Sequence, residues 1–174
     1  MKVVVIGSTG QLGQDLMRAF GKDATGLSHQ DLDVTDGVSV ASATGSLRPD
    51  WVINTAAFHR VDDCETNPSL AFAVNALGAL NVARAAASVN AGVVFISTDY
   101  VFAGVGRERR HPYTESDDPQ PLNVYGVANV QEWPPRLTVA MDGQEPIAPG
   151  MQSKGVYNQI ESHARRETED GSLA

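Results

Sequence analysis

The chain opens "MKVVVIGSTGQLGQDLMRAF", and no other stretch constrains its fold as tightly. Residues 2–7, "KVVVIG", are apolar after the lysine, rich in β-branched side chains and closed by glycine, the pattern of a strand buried on both faces. Gly7, Gly10 and Gly13 follow in G-x-x-G-x-x-G spacing, and Leu12, Leu16, Met17 and Phe20 recur at helical intervals. A strand that passes through a glycine loop into a helix presents that helix's unpaired N–H groups to a ligand. Gly7 permits the tight turn, Gly10 lets the backbone approach a pyrophosphate, and Gly13 lets helix and strand pack closely. Thr9, Gln11 and Leu12 complete the predicted cradle. A P-loop is excluded because no Gly-Lys-Ser/Thr is present.

The rest of the chain repeats this alternation. "ATGL" and "DLDV" are expected as two short strands, and "DWVINTAA" (50–57) as a further buried strand after Arg48-Pro49-Asp50. "NPSLAFAVNALGALNVARAAASVN" (67–90) is the longest helical pattern, with Leu70, Val74, Leu77 and Val82 predicted on one face. "GVVFISTDY" (92–100) is a buried strand with a polar tip. Strands alternating with helices imply parallel strands and right-handed crossovers, a doubly wound α/β sheet. Residues 1–130 are expected to form the dinucleotide-binding domain and 131–174 an atypical tail. Residues 103–122 read as a loop over the carboxyl edge of the sheet, with "RERR" (107–110) a solvated part of it. Pro134-Pro135 cuts off any long helix after Gly126. "RLTVAM" (136–141) could be a strand; 142–174 reads as loosely ordered, and the acidic "ETEDGSLA" as disordered.

At 174 residues the chain has room for one domain with a real core. Its net charge of −8 carries no basic face for nucleic acid or an anionic membrane. The single Cys64, within "VDDCE", allows no internal disulfide, fits a reducing compartment and reads as an inert thiol. The first apolar run is too short for a signal peptide, and a cytoplasmic location is expected. His29, His59, His111 and His163 are scattered without ligand spacing, so no metal site is expected.

The cofactor preference turns on the end of the second strand, "GLSHQ". Ser28 and His29 stand where an acid would bind a ribose 2′-hydroxyl, and neither repels a 2′-phosphate. NADP(H) is therefore favoured, with NAD(H) close behind; a role for His29 away from any ligand stays open. Asp31 and Asp33 are assigned to the adenine-side strand. "INTAAF" places Asn54, Ala56 and Ala57 at a strand end where small residues let a cofactor lie against the backbone. "ISTDYVF" places Ser97, Thr98, Asp99 and Tyr100 together at the next strand end, and the Thr98 hydroxyl could polarise a substrate carbonyl.

Taken in order, "GSTGQLG", "DLDVTD", "INTAAFHRVDDCE", "AFAVNALGALNVARAA", "STDYVF" and "PLNVYG" resemble the dTDP-4-dehydrorhamnose reductases, extended short-chain dehydrogenase/reductases. The resemblance runs from Met1 to about Gly126. It implies a Rossmann-type domain and NAD(P)H-dependent reduction of the 4-keto group of dTDP-4-dehydro-L-rhamnose, giving dTDP-L-rhamnose, a cell-envelope precursor. It also implies that Asp33 and Val34 lie near the adenine, and that Ala56 and Ala57 line the ribose and nicotinamide. Asn75 would support the strand ends, Thr98 would donate to the carbonyl oxygen and Tyr125 would be the general acid. Ser97, Asp99, Tyr100 and Phe102 would face the sugar. The expected partner is a dTDP-linked deoxysugar, with a homodimer allowed for.

The family pattern Tyr-x-x-x-Lys is Tyr125 and Asn129 here. The lysine bonds the nicotinamide ribose and lowers the tyrosine pKa; asparagine brings no charge for the second task. An unperturbed tyrosine titrates at about 10, so it can give a proton but is poorly matched to neutral pH. Beyond Gly126 the substrate-binding half of the family is not recognisable, a break like that left by a shifted or truncated reading frame near Val127. These departures motivate an alternative, a non-catalytic regulatory subunit like that of methionine adenosyltransferase.

Overall fold

The structure, a computed structural model, describes residues 1–104, 113–114, 117–130 and 137–142. Val3–Ile6 (β1) lies inside a five-stranded parallel sheet with Ala24–Leu27 (β2), Trp51–Asn54 (β3), Gly92–Thr98 (β4) and Leu137–Asp142 (β5), in the order β2-β1-β3-β4-β5. The order runs outward in both directions from β1, so the direction of winding reverses between β1 and β3. In such sheets the ligand crevice opens beyond the carboxyl ends at that reversal.

The continuous apolar run of β1 still divides with period two. Val4 and Ile6 join Val52, Val93 and Val82 in one core, while Val3 and Val5 join Leu16, Phe20, Ile53 and Val94 in the other. None of the four β1 side chains is more than 1% exposed. Each such burial is worth roughly 1.5–3 kcal/mol. Helix α1 (Gln11–Phe20) covers the second core with Leu16 and Phe20. Helix α2 (Gly37–Leu47) contributes Val40 to the first, where Val82, Ala85 and Ala86 join it.

The predicted long helix is present over Pro68–Ser88, with an interruption. Pro68–Ala71 (α4) passes into a π-helical segment, Phe72–Gly78, and then into Ala79–Ser88 (α5). The wider turn changes which side chains face inward. Leu70 and Leu77 are 46% and 58% exposed, against the sequence expectation, whereas Val82 is fully buried and Asn75 takes an interior position. This helix is long and apolar enough to cross a membrane by composition, but its Val82, Ala85 and Ala86 are part of the core that contains Val4 and Ile6.

"DLDV" is not a strand, which makes "WVIN" the third strand of the chain rather than the fourth. Leu32 and Val34 enter the core, but the intervening aspartates fold the backbone into turns. Asp31 Oδ2 accepts from Ser28 N (2.8 Å) and Ser28 Oγ (2.6 Å). Asp33 Oδ1 accepts from Thr35 N (2.9 Å) and Thr35 Oγ1 (2.8 Å). Such side-chain bonds compete with a sheet ladder.

A third aspartate, Asp36, caps α2 by accepting from Val38 N and Ser39 N, and its other oxygen takes the Ser39 hydroxyl. The Ser39 hydroxyl and N–H, more than Val38, hold its carboxyl below the usual carboxylate value. A depressed folded pKa gives stability that is present above the unfolded value of about 3.9 and lost as pH falls through the folded one. Asp36→Ala is expected to lower Tm by roughly 2–6 °C at neutral pH. Thermal melts should show that difference narrowing in acid.

Helix α6 (Val124–Asn129) ends where Val130 turns extended, ahead of the Pro134-Pro135 pair that was expected to stop it. That pair, Arg136, "RERR" and residues 143–174 fall outside the described residues. Within "RLTVAM", Leu137–Met141 lies in β5, which continues through Asp142 and pairs with β4 from Val93↔Leu137 to Thr98↔Asp142.

Candidate active site

The glycine loop between β1 and α1 is shaped by contacts that exclude side chains. Gly7 adopts φ +82°, and a Cβ on it would sit 2.7 Å from Thr55 Oγ1 and 3.0 Å from Ala56 N. Thr55 Oγ1 in turn lies 2.8 Å from Ile6 O, tying the ends of β1 and β3 together. A Cβ on Gly13 would overlap the Gly7 carbonyl oxygen and lie 2.8 Å from Ser8 Cα. Gly10 is the N-cap of α1 and supplies no capping side chain. Thr9, Gly10 and Gln11 are exposed and Leu12 is half-buried, so the predicted cradle opens on the solvent side of the sheet's carboxyl edge.

At the β2 end, Ser28 is half-buried and His29 exposed. Asp31, expected on a further strand, instead belongs to this turn. Its carboxylate folds back onto Ser28, and the Ser28 hydroxyl, then its N–H, holds its pKa below the usual value. A negative charge therefore stands beside Ser28, where only Ser28 and His29 were expected. The signal was legible: a serine followed three residues later by an aspartate is a turn pattern. Asp33 is exposed, and Val34 is buried with its side chain against Gly78.

Across the switch point, Ala56 is half-buried and Ala57 exposed. Asn54 is 2% exposed; its Oδ1 accepts from Ala56 N (3.1 Å), and its Nδ2 has no partner among the described residues. An unpaired buried donor costs about 1–3 kcal/mol, which favours a bound acceptor at this edge. The side-chain-free cradle and this donor both fit a dinucleotide. Asn75, inside the π-helical segment, clamps the loop beyond β3: Phe58 N donates to its Oδ1 (2.8 Å) and its Nδ2 donates to Phe58 O (3.0 Å). Asn75 is 1% exposed.

The tip of β4 carries the other polar groups. Ser97 and Thr98 are buried, at 6% and 2% exposure, while Asp99 and Tyr100 are exposed. Thr98 Oγ1 accepts from Tyr100 N (3.2 Å) and lies 3.3 Å from Asp99 Oδ1, to which it can donate. Phe102 stacks on Tyr113, with centroids 4.2 Å apart and planes within 10°. Tyr125 is buried in a small cluster with Cys64, Ala71 and Ala128, and its ring meets that of Tyr100 edge-on at 5.8 Å. Cys64 is fully buried; burial, then Asp63 and Glu65, raise its pKa, in line with an inert thiol. Among the described residues no His, Cys, Asp or Glu cluster could hold a metal ion.

Asn129 is 4% exposed, and its Nδ2 donates to Tyr125 O at 2.8 Å. That bond reaches back one turn to the first turn of α6 and directs the amide donor to the backbone. The ribose bond expected of this position has to compete with it.

The family model described as the RmlD substrate binding domain matches residues 1–132. This chain belongs to that family. A dTDP-4-dehydrorhamnose reductase of Streptomyces griseus is 41% identical over 126 residues, covering 71% of this chain and 40% of that protein. A crystal structure of a dTDP-4-dehydrorhamnose reductase of Clostridium acetobutylicum superposes with a TM-score of 0.75 at 36% identity, covering 83% of this chain and 56% of that one. The Bacillus anthracis dTDP-4-dehydrorhamnose reductase, solved in complex with NADP, has a TM-score of 0.75 at 35% identity and covers 81% and 53%. The RmlD-type chain thus spans about 40% of the length of the Streptomyces reductase and about half that of the two crystal structures. Its parallel sheet with flanking helices is Rossmann-type, as the sequence predicted.

Proposed function

We propose that this chain carries the cofactor half, and the proton-donating tyrosine, of an NAD(P)H-dependent reductase. The reaction is reduction of the 4-keto group of dTDP-4-dehydro-L-rhamnose to dTDP-L-rhamnose. The observation that supports it most is Tyr125, buried against Tyr100 beside the β4 tip that also carries Thr98. Residues 1–130 are the dinucleotide-binding domain of this reading, and β5 within the 131–174 tail extends its sheet.

When bound, the cofactor supplies hydride. Gly7, Gly10 and Gly13 give its pyrophosphate a cradle free of side chains, Ser28, His29, Asp33 and Val34 lie toward the adenosine side, and Ala56 and Ala57 lie beside the nicotinamide ribose. Thr98 turns its hydroxyl from Asp99 to the ketone oxygen, Tyr125 gives that oxygen its proton, and Ser97, Asp99, Tyr100 and Phe102 face the sugar. The product is a secondary alcohol. A dTDP-linked sugar is the proposed partner and the cytoplasm the proposed location.

Asp31 alters the cofactor expectation. Its carboxylate at Ser28 disfavours a 2′-phosphate, which makes NAD(H) a stronger competitor than the sequence suggested. Asp31→Asn is expected to tighten NADPH binding about five-fold and leave NADH nearly unchanged, as read by fluorescence titration.

The function is tested by mixing the chain with NADPH or NADH and the 4-keto sugar, following cofactor absorbance and separating the products. The reductase reading predicts ketone-dependent cofactor consumption that is lost in Tyr125→Phe. Cofactor binding without consumption would favour a regulatory subunit, a reading the reductase relatives do not support.

A further inference from the structure

We propose that Glu65 is a positioning residue for Tyr125, holding the first turn of α6 from helix α3 (Val61–Thr66); this rests on the reductase reading above. Glu65 Oε1 accepts the Val124 N–H at 2.7 Å, a contact that spans 59 residues of chain. Val124 opens α6 and Tyr125 follows it. On the other side of Tyr125, the Gly126 N–H donates to Asn123 Oδ1, also at 2.7 Å. Both amides flanking the tyrosine are thus held by side chains, one local and one brought from α3.

Helix α3 is itself anchored. Cys64, next to Glu65, is fully buried in the cluster that contains Tyr125, and its Sγ lies 3.3 Å from Phe58 O. The two Asn75 bonds fix Phe58. A continuous path therefore leads from the π-helical segment through the loop beyond β3 and α3 to the start of α6. Opposite this path, Gly126 packs against the Tyr100 carbonyl and Pro121, where a Cβ would overlap the former. Tyr125 is seated between the two supports, and Glu65 is an exposed link whose replacement leaves the core intact.

Proton donation demands that the tyrosine oxygen reach the ketone oxygen at hydrogen-bond distance, and a misplacement of about 1 Å costs on the order of 10²-fold. The test compares Glu65→Ala and Glu65→Gln in the full chain. Measurements are the Val124 amide and labelled Tyr125 ring resonances, NADPH affinity, and kcat and KM on the 4-keto sugar. Glu65→Ala should move both resonances and lower kcat about 10–100-fold with NADPH affinity unchanged. Glu65→Gln should restore most of the loss, because its amide oxygen accepts the same N–H. Tyr125 resonances that stay in place in Glu65→Ala, or a Glu65→Gln variant no better than Glu65→Ala, would overturn the proposal. A chain that reduces no ketone overturns the reductase reading instead, and the Tyr125 ring signal then decides the role of Glu65 alone.

Discussion

Gly13→Ala is expected to weaken NADPH and NADH binding by at least about 100-fold and to lower Tm by roughly 2–10 °C. The methyl group would overlap the Gly7 carbonyl oxygen and meet Ser8 Cα at 2.8 Å and Ser8 C at 2.9 Å. All three are backbone atoms, so no rotamer relieves the clash. The start of α1 must withdraw from the loop, and the N–H groups proposed to meet the pyrophosphate withdraw with it. Gly45→Ala is the control: Gly45 lies in α2 with nothing within 4 Å of its Cβ position. There the same change should stabilise by about 1 kcal/mol through helix propensity and leave binding untouched. Calorimetric titration and thermal melts of the two variants check both halves.

Asn129→Lys is expected to raise the rate of ketone reduction by about 10²–10⁴-fold, the usual worth of a tuned proton donor. Asn129 now spends its amide on the Tyr125 carbonyl and offers no charge to the phenol. A lysine four residues after Tyr125 lies on the same helix face, and its longer stem can carry an ammonium past the backbone to the cofactor side. Asn129→Met, close to lysine in length but uncharged, should leave the rate near that of the unaltered chain. If kcat at saturating cofactor were the same for the Asn129→Lys variant and the unaltered chain, the missing charge would not be what limits the site.

Much of this was legible because each element near the amino terminus carries a local signal that agrees with the fold. The β1 run, the glycine spacing and the α1 periodicity all name the same strand–loop–helix, and the structure forms it. The errors fell where side chains overrule the apolar pattern. "DLDV" reads as a strand by alternation, yet Asp31 and Asp33 bond the amides and hydroxyls of Ser28 and Thr35 and close turns instead. Leu70 and Leu77 read as sharing a face with Val82 at helical spacing, but the π-helical segment between Leu70 and Val82 breaks that register, and no local signal marks the wider turn. The bond from Val124 to Glu65 was equally hidden, because the two residues are 59 apart in the chain. Tyr125 and Thr98 were found as candidates, whereas the competing bonds of Asn129 and Thr98 emerged only from the geometry.

The loop from Gly7 to Gly13, with the edge formed by Asn54, Ala56 and Ala57, is the proposed site of a nicotinamide dinucleotide. Thermal unfolding with rising NADPH or NADH tests it most directly, since a ligand bound only by the folded chain raises Tm with concentration. A saturable rise of several degrees is expected with at least one of the two cofactors, absent in Gly13→Ala. A Tm that neither cofactor moves, at concentrations up to about a millimolar, would contradict it.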